Sequence, residues 1–193
     1  MSADISTANN SYDIVIVGGG MVGISLALLL ADQHNWKILL IEAQAMRNAS
    51  EVTYSPSFDA RSTALSWSSR KIYQSMGLWP ELEPSLSDIN QIHVSDYGRM
   101  GITRIDAKAA NVDALGYVVE NQRLGAALLG KLDSSQVEFR GATRVQAVKP
   151  LISGMQLTFD NSHSAHAKLL VIADGAGSST AQALGISSQT KAY

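Results

Sequence analysis

Three consecutive glycines, Gly18, Gly19 and Gly20, interrupt an apolar run, and Gly23 follows after Met21 and Val22. Gly18, Gly20 and Gly23 fit the spacing G-x-G-x-x-G, in which each glycine has a separate task. Gly18 lets the chain turn sharply off a strand. Gly20 lacks a Cβ, so a pyrophosphate can approach the backbone, and Gly23 lets the following helix lie close to the strand. Free N–H groups and a partial positive charge at the helix start would then face that pyrophosphate. Glu42 lies nineteen residues after Gly23, just ahead of Ala43. A carboxylate there can accept hydrogen bonds from both hydroxyls of an adenosine ribose and would repel a 2′-phosphate, which disfavours NADP at this site.

Such a loop works only between a strand that delivers it and a helix that receives it. Residues 12–17, YDIVIV, are a β-branched run that predicts a buried strand. Residues 21–33 predict a helix that is apolar on nearly all sides and packed on more than one face, with Ala27 keeping the strand-facing side thin. Residues 36–43, WKILLIEA, predict a second buried strand. Strand, helix and strand within about thirty residues make a right-handed βαβ unit with parallel strands.

Further along, residues 45–59 read as a loop. Residues 62–77 predict a helix with Leu65, Ile72 and Met76 near one face and Gly77 as its stop. Residues 90–97 and 101–106 alternate like two half-buried strands turning at Gly98. A strand is expected over 116–120 and a helix over 121–133. Strands are expected over 136–140, 143–150 and 154–160, the last two as an antiparallel hairpin. A buried strand over 166–177 ends in a turn, and a capped helix follows over 178–185. The sum is a parallel α/β core with antiparallel β insertions.

Hydrophobic residues make up 46% and charged residues 17% of the 193-residue chain, a globular composition. With a net charge of −2 and no long basic run, no nucleic-acid partner is expected. The absence of cysteine excludes disulfides and thiolate chemistry. Residues 1–11 lack the pattern of a signal peptide and read as a disordered tail.

Four blocks carry a resemblance: YDIVIVGGGMVGISLALLLA, FDARSTALSWSSRKIYQSMGLW, ALGYVVENQRLGAALLGKL and LLVIADGAGSSTAQALGI, spanning Tyr12 to Ile186. In these the chain resembles the flavoprotein aromatic hydroxylases, and within them the ubiquinone-biosynthesis hydroxylases. The resemblance implies a Rossmann-like FAD-binding domain of the glutathione-reductase and aromatic-hydroxylase type, with FAD as cofactor and NAD(P)H as co-substrate. It implies O₂-dependent hydroxylation of the aromatic ring of a polyprenyl phenol. Family members run to about twice this length, so residues 12–193 read as an incomplete FAD-binding domain whose C-terminal half is missing. Residues 88–112 would contribute to the substrate-domain sheet. By the same resemblance the chain alone is expected to be inactive and cytoplasmic. Peripheral contact with the inner membrane or a ubiquinone-biosynthesis complex, and homo-oligomerisation, remain open.

The resemblance also assigns cofactor contacts at Arg61, at Asn121 and at Asp174-Gly175. Arg61 precedes the helix predicted to start at Ser62, where a cation needs a compensating anion; the alternative is a solvated surface arginine. Asn121 opens a helix where relatives have Gln or Arg; the alternatives are a plain cap, or Gln122 as the equivalent. Asp174-Gly175 alone would be an ordinary turn. No residue stands out as a catalytic base. His163 and His166 point to opposite faces of a strand, and no metal site is expected. SWSS around Ser66 reads as helix without a nucleophile elbow, and Trp67, Tyr73 and Trp79 read as packing. Another FAD-dependent oxidase or dehydrogenase, and a non-catalytic dinucleotide-binding module, remain as alternatives.

Overall fold

The computed structural model describes residues 10–45, 58–98, 100–187 and 189. The first unit is strand β1 (Ser11–Val17), helix α1 (Met21–Gln33) and strand β2 (Ile38–Ile41). Strand β3 (Ser62–Ser66), helix α2 (Trp67–Ser75), the short helix α3 (Trp79–Leu82) and strand β4 (Ser87–Ile89) follow. Next come β5 (Gln91–Ser95), β6 (Ile102–Asp106), β7 (Gly116–Glu120) and α4 (Asn121–Asp133). The chain continues through β8 (Glu138–Arg140), β9 (Val145–Leu151), β10 (Gly154–Phe159), β11 (Ser164–Ile172) and α5 (Ser179–Ala183).

Six strands form the main sheet in the order β8-β2-β1-β11-β10-β9. β8, β2, β1 and β11 run parallel, and β9, β10 and β11 form an antiparallel meander at one side. β1 is central because the chain leaves it in both directions: β2 follows on one side, and β11 returns on the other. Ligands of open α/β sheets bind beyond the carboxyl ends of the strands, where the order diverges in this way.

The alternation of β1 sets the two faces of the core. Ile14 and Ile16, with Ile38 and Leu40, pack against Ile24 and Leu28 of α1 and Leu124 and Leu128 of α4. Val15 and Val17, with Leu39 and Ile41, meet Leu157 and Phe159 of the meander. Helix α1 is buried at Gly23, Ile24, Ala27 and Leu28, while Leu26, Leu29 and Leu30 are partly buried against the same cluster. The expectation of a helix packed on more than one side therefore holds along much of its length.

The stretch expected as one helix over 62–77 is divided. Residues 62–66 form β3, paired antiparallel with β7 from Ser62↔Glu120 to Ser66↔Gly116. The helix starts only at Trp67, because the Ser66 hydroxyl accepts from the Ser69 N–H and caps it. The expected apolar stripe changes with it: Tyr73 and Met76 are buried, but Ile72 is exposed. Of SWSS, Ser66 is the strand end and cap, and Trp67 to Ser69 form the first turn of α2.

β5 and β6 pair with each other, as expected, from Gln91↔Asp106 to Ser95↔Ile102. They were expected to be half-buried. Instead Ile92, Val94, Ile102 and Ile105 are all exposed, and among the described residues no other strand joins this two-stranded sheet. The β9–β10 hairpin and the Ser178-capped α5 form as the sequence indicates. Trp79 is buried edge-on to Tyr117 at 4.9 Å, and Tyr73 is buried, which fits packing roles. β1 begins at Ser11, and the Asn10 carbonyl accepts from His166 N; the rest of the expected tail, and most of the expected 45–59 loop, lie outside the described residues. Among the described residues, no helix is long and apolar enough to cross a membrane.

Candidate cofactor cleft

A cleft of about 760 Å³ opens at the carboxyl ends of β1, β2 and β11. Its walls are the residues that follow those strands, the start of α1, and the start of α4. Gly18, Gly20, Met21, Val22, Glu42, Ala43, Arg61, Asn121, Asp174 and Gly175 all line it. Gly19 and Gly23 lie behind that lining and shape it.

Gly18, Gly19 and Gly23 are required by close approaches of backbone to backbone and to Glu42. Gly18 has φ +113°, and a Cβ there would sit 2.3 Å from the Ala173 carbonyl oxygen at the end of β11. Its N–H donates to Ile41 O at 2.8 Å, so Gly18 ties the ends of β1, β2 and β11 together. A Cβ on Gly19 would lie 2.8 Å from Glu42 Cβ, and one on Gly23 would lie 1.8 Å from the Gly18 carbonyl oxygen. Gly23 thus seats α1 on the loop itself; the nearest strand atom, Ile16 Cγ2, is farther at 3.5 Å.

The start of α1 is suited to an anion. Gly20 is its N-cap and supplies no side chain, and no acidic residue lies in the first turn. The N–H groups of the first turn therefore have no side-chain acceptor, and the helix dipole adds positive potential.

Glu42 sits beside this loop. Its Oε2 accepts from Gly19 N at 2.6 Å and its Oε1 from Gln44 N at 2.9 Å. A carboxylate has about four acceptor sites, so these two bonds fix the group and leave capacity for two hydroxyl donors. Neighbouring residues reach the same wall from the far edge of the sheet: Thr143 N donates to Glu42 O and Ala142 N to Gln44 O. Thr143, Arg144, Val145 and Gln44 line the cleft but have no local sequence signal, since 143–150 reads simply as a strand.

On the opposite wall Asp174 follows β11 and precedes Gly175, which has φ +91°. Asp174 Oδ1 is buried without a hydrogen-bond partner among the described residues, and Oδ2 meets Thr180 N at a long 3.5 Å. A buried acceptor left unmade is costly, and at a cleft wall it is a place for a ligand donor. Thr180 and Ser179 line the same wall.

Arg61 lies on the cleft but not at a helix start: it precedes β3, so the helix-dipole argument for it fails. Its Nε donates to Asp59 Oδ2 at 2.6 Å and its N–H to Asp59 Oδ1 at 3.0 Å. These bonds, the backbone one first and then the guanidinium's, hold the Asp59 carboxyl below the usual range. Asn121 is the first residue of α4, behind the cap position Glu120. It is only 4% exposed and does not cap: its Oδ1 accepts from Thr63 Oγ1 at 2.6 Å, and its Nδ2 donates to Asp59 Oδ1 at 3.3 Å. His166 Nε2 lies 3.3 Å from Ser153 Oγ, remote from the cleft. Among the described residues, no cluster of three or more metal-ligating side chains occurs.

Comparison with known proteins bears on what such a cleft holds. A family model described as an FAD binding domain matches residues 11–193. The chain is 32% identical over 189 residues to ubiquinone hydroxylase UbiM of Neisseria meningitidis, covering 94% of this chain and 40% of that protein. It is 28% identical to ubiquinone hydroxylase UbiL of Rhodospirillum rubrum, covering 97% of this chain and 42% of that one. The chain thus spans about two fifths of the length of these curated relatives. In fold it is similar to PqsL, a probable FAD-dependent monooxygenase from Pseudomonas aeruginosa, with a TM-score of 0.73 and 22% identity over 95% of this chain and 48% of that one.

Proposed function

The chain belongs to the FAD binding domain family, and from that premise we propose that its cleft holds the ADP half of FAD in a ubiquinone-pathway aromatic hydroxylase. One observation carries the assignment. The uncapped start of α1, the anchored Glu42 carboxylate and the orphan Asp174 Oδ1 converge on a single cleft at the carboxyl ends of β1, β2 and β11.

The groups present suit that ligand. The first-turn N–H groups of α1, with Gly18 and Gly20, would cradle the pyrophosphate. Glu42, held by Gly19 and Gln44, would accept from the ribose hydroxyls. Arg61 would supply positive charge to the phosphates, and Asp174 would accept a hydroxyl donor of the cofactor. Bound FAD would supply, at its flavin end, redox chemistry with NAD(P)H and O₂ toward an aromatic ring. The protein's part is to bind, orient and exclude water.

The hydroxylation itself belongs, in this reading, to the whole protein of which such a domain is a part, with a polyprenyl phenol as substrate. The names of the two ubiquinone hydroxylases support that choice. The β5–β6 hairpin would contribute to the substrate-domain sheet. It pairs with no other strand of the described residues and presents Ile92, Val94 and Ile105 on one exposed face. A two-stranded ribbon is marginal in water unless covered.

A visible-absorbance titration tests the cofactor assignment. The purified chain is expected to bind added FAD in equal amount and to retain it through gel filtration in proportion to its affinity. Absence of any FAD binding would remove the proposal.

A further inference from the structure

Beyond the assignment of Arg61 to the cleft, and resting on the cofactor reading, we propose that Asp59 is a positioning residue for Arg61, with Thr63 and Asn121 fixing Asp59 in turn. The argument begins with what a carboxylate can do. Ionised Asp59 only accepts. It takes the Arg61 N–H through Oδ1 and the Arg61 Nε–H through Oδ2, so one side chain grips both the backbone and the head of the arginine. The backbone bond alone is an ordinary turn of an Asp two residues ahead of its donor. The second bond is not explained by the turn, and it fixes the direction of a side chain that is 75% exposed.

The orientation of Asn121 follows from the same property. Because Asp59 cannot donate, the amide must turn its NH₂ toward it, as observed at 3.3 Å. Its Oδ1 then faces Thr63, whose hydroxyl must be the donor, at 2.6 Å. Asn121 N closes the ring by donating to the Arg61 carbonyl at 2.9 Å. The four residues come from the start of β3, the residue before it, the preceding turn and the start of α4. Every link is a hydrogen bond with one possible polarity. Thr63, Arg61 and Asn121 all line the cleft.

The benefit to binding is preorganisation. A long arginine side chain loses rotamer freedom when it meets an anion, and a grip on Nε before the ligand arrives reduces that loss. In this arrangement Asn121, one amide hydrogen and the Oδ1 already engaged, acts mainly through Asp59 and Arg61.

The test uses Asp59→Asn, Thr63→Val and Arg61→Ala, singly and in pairs, in the full 193-residue chain. Thr63→Val matters because it changes no charge. Each of Asp59→Asn and Thr63→Val is expected to weaken FAD and ADP binding by about threefold to fivefold, the range of one partly exposed ion pair. Both effects are expected to vanish in the Arg61→Ala background. In the ligand-free protein, the Arg61 Nε–H signal in a ¹⁵N spectrum should be protected from solvent exchange and lose that protection in both variants. Equal losses of affinity with and without Arg61 would overturn the proposal, as would tighter binding by Asp59→Asn, which would make Asp59 a charge neutraliser. An Nε–H signal unchanged by Asp59→Asn would also overturn it. If the wild-type chain binds neither FAD nor ADP, the cofactor reading fails, and the Nε–H measurement still decides the positioning.

Discussion

Gly23→Ala and Gly130→Ala are the same substitution in two helices, and the structure gives them opposite signs. At Gly23 the new Cβ would stand 1.8 Å from the carbonyl oxygen of Gly18, a residue whose N–H is bonded to Ile41 O at the end of β2. To reach ordinary contact the start of α1 must retreat by about 1.5 Å or more. Overpacking of this kind costs about 1–3 kcal/mol, at the upper end where backbone must move. Alanine recovers about 1 kcal/mol of helix propensity, which leaves a net loss of about 2 kcal/mol. For a chain of this size that lowers Tm by about 4–8 °C. The retreat also withdraws the first-turn N–H groups from the cleft, so FAD affinity should fall. Gly130 lies exposed in α4 with nothing within 4 Å of a Cβ. There the propensity gain is unopposed, and Tm should rise by about 2–4 °C. The assay is thermal and urea unfolding of the ligand-free variants beside wild type. If both substitutions moved Tm in the same direction, or Gly23→Ala matched wild type, the close seating of α1 on the glycine loop would be wrong.

Glu42→Ala should weaken FAD and ADP binding by about 1.5–3 kcal/mol, the worth of hydrogen bonds to a charged acceptor, as read by calorimetric titration. Gly20→Val should abolish that binding by placing a branched side chain on the cleft wall, with circular dichroism showing the fold retained. Tyr12 has its hydroxyl pushed up to about 12 by burial and by its hydrogen bond to Glu138, against the lowering effect of Arg140. A group whose pKa is raised on folding contributes stability that is full below its unfolded value, near 10, and is lost as pH rises toward 12. Urea unfolding should therefore show stability falling between pH 10 and 12, and Tyr12→Phe should flatten that fall. Val94→Lys on the exposed hairpin face should leave Tm unchanged and reduce any self-association seen by sedimentation, since Val94 is 53% exposed.

Local patterns predicted local structure. The glycine spacing, the β-branched run before it and the acid after it placed β1, α1, β2 and Glu42 at the cleft. Asp174-Gly175 and Asn121 were legible only through the family resemblance, since locally they are an ordinary turn and a helix start. β3 was not. Its five residues, STALS, have no strong strand preference, and they become a strand because β7, more than fifty residues later, offers its backbone. The misplaced helix start then misdirected the argument for Arg61, whose partner is a carboxylate two residues back and not a helix dipole. Thr143 is held at the cleft by its bond to the Glu42 carbonyl, and Arg144 and Val145 by Asp160 and Phe159 of the meander, contacts no local period reports. Gly19 occupies a variable position of the G-x-G-x-x-G spacing, yet Glu42 packs where its Cβ would be.

Backbone ¹H–¹⁵N spectra of the 193-residue chain titrated with ADP locate the site most directly. The account predicts saturable shifts confined to the amides of Gly18 to Gly23, Glu42 to Gln44, Arg61, Asn121, Thr143 to Val145 and Asp174-Gly175, requiring higher ADP in Glu42→Ala and competed by FAD. Saturable shifts elsewhere on the surface, or none at millimolar ADP, would contradict it.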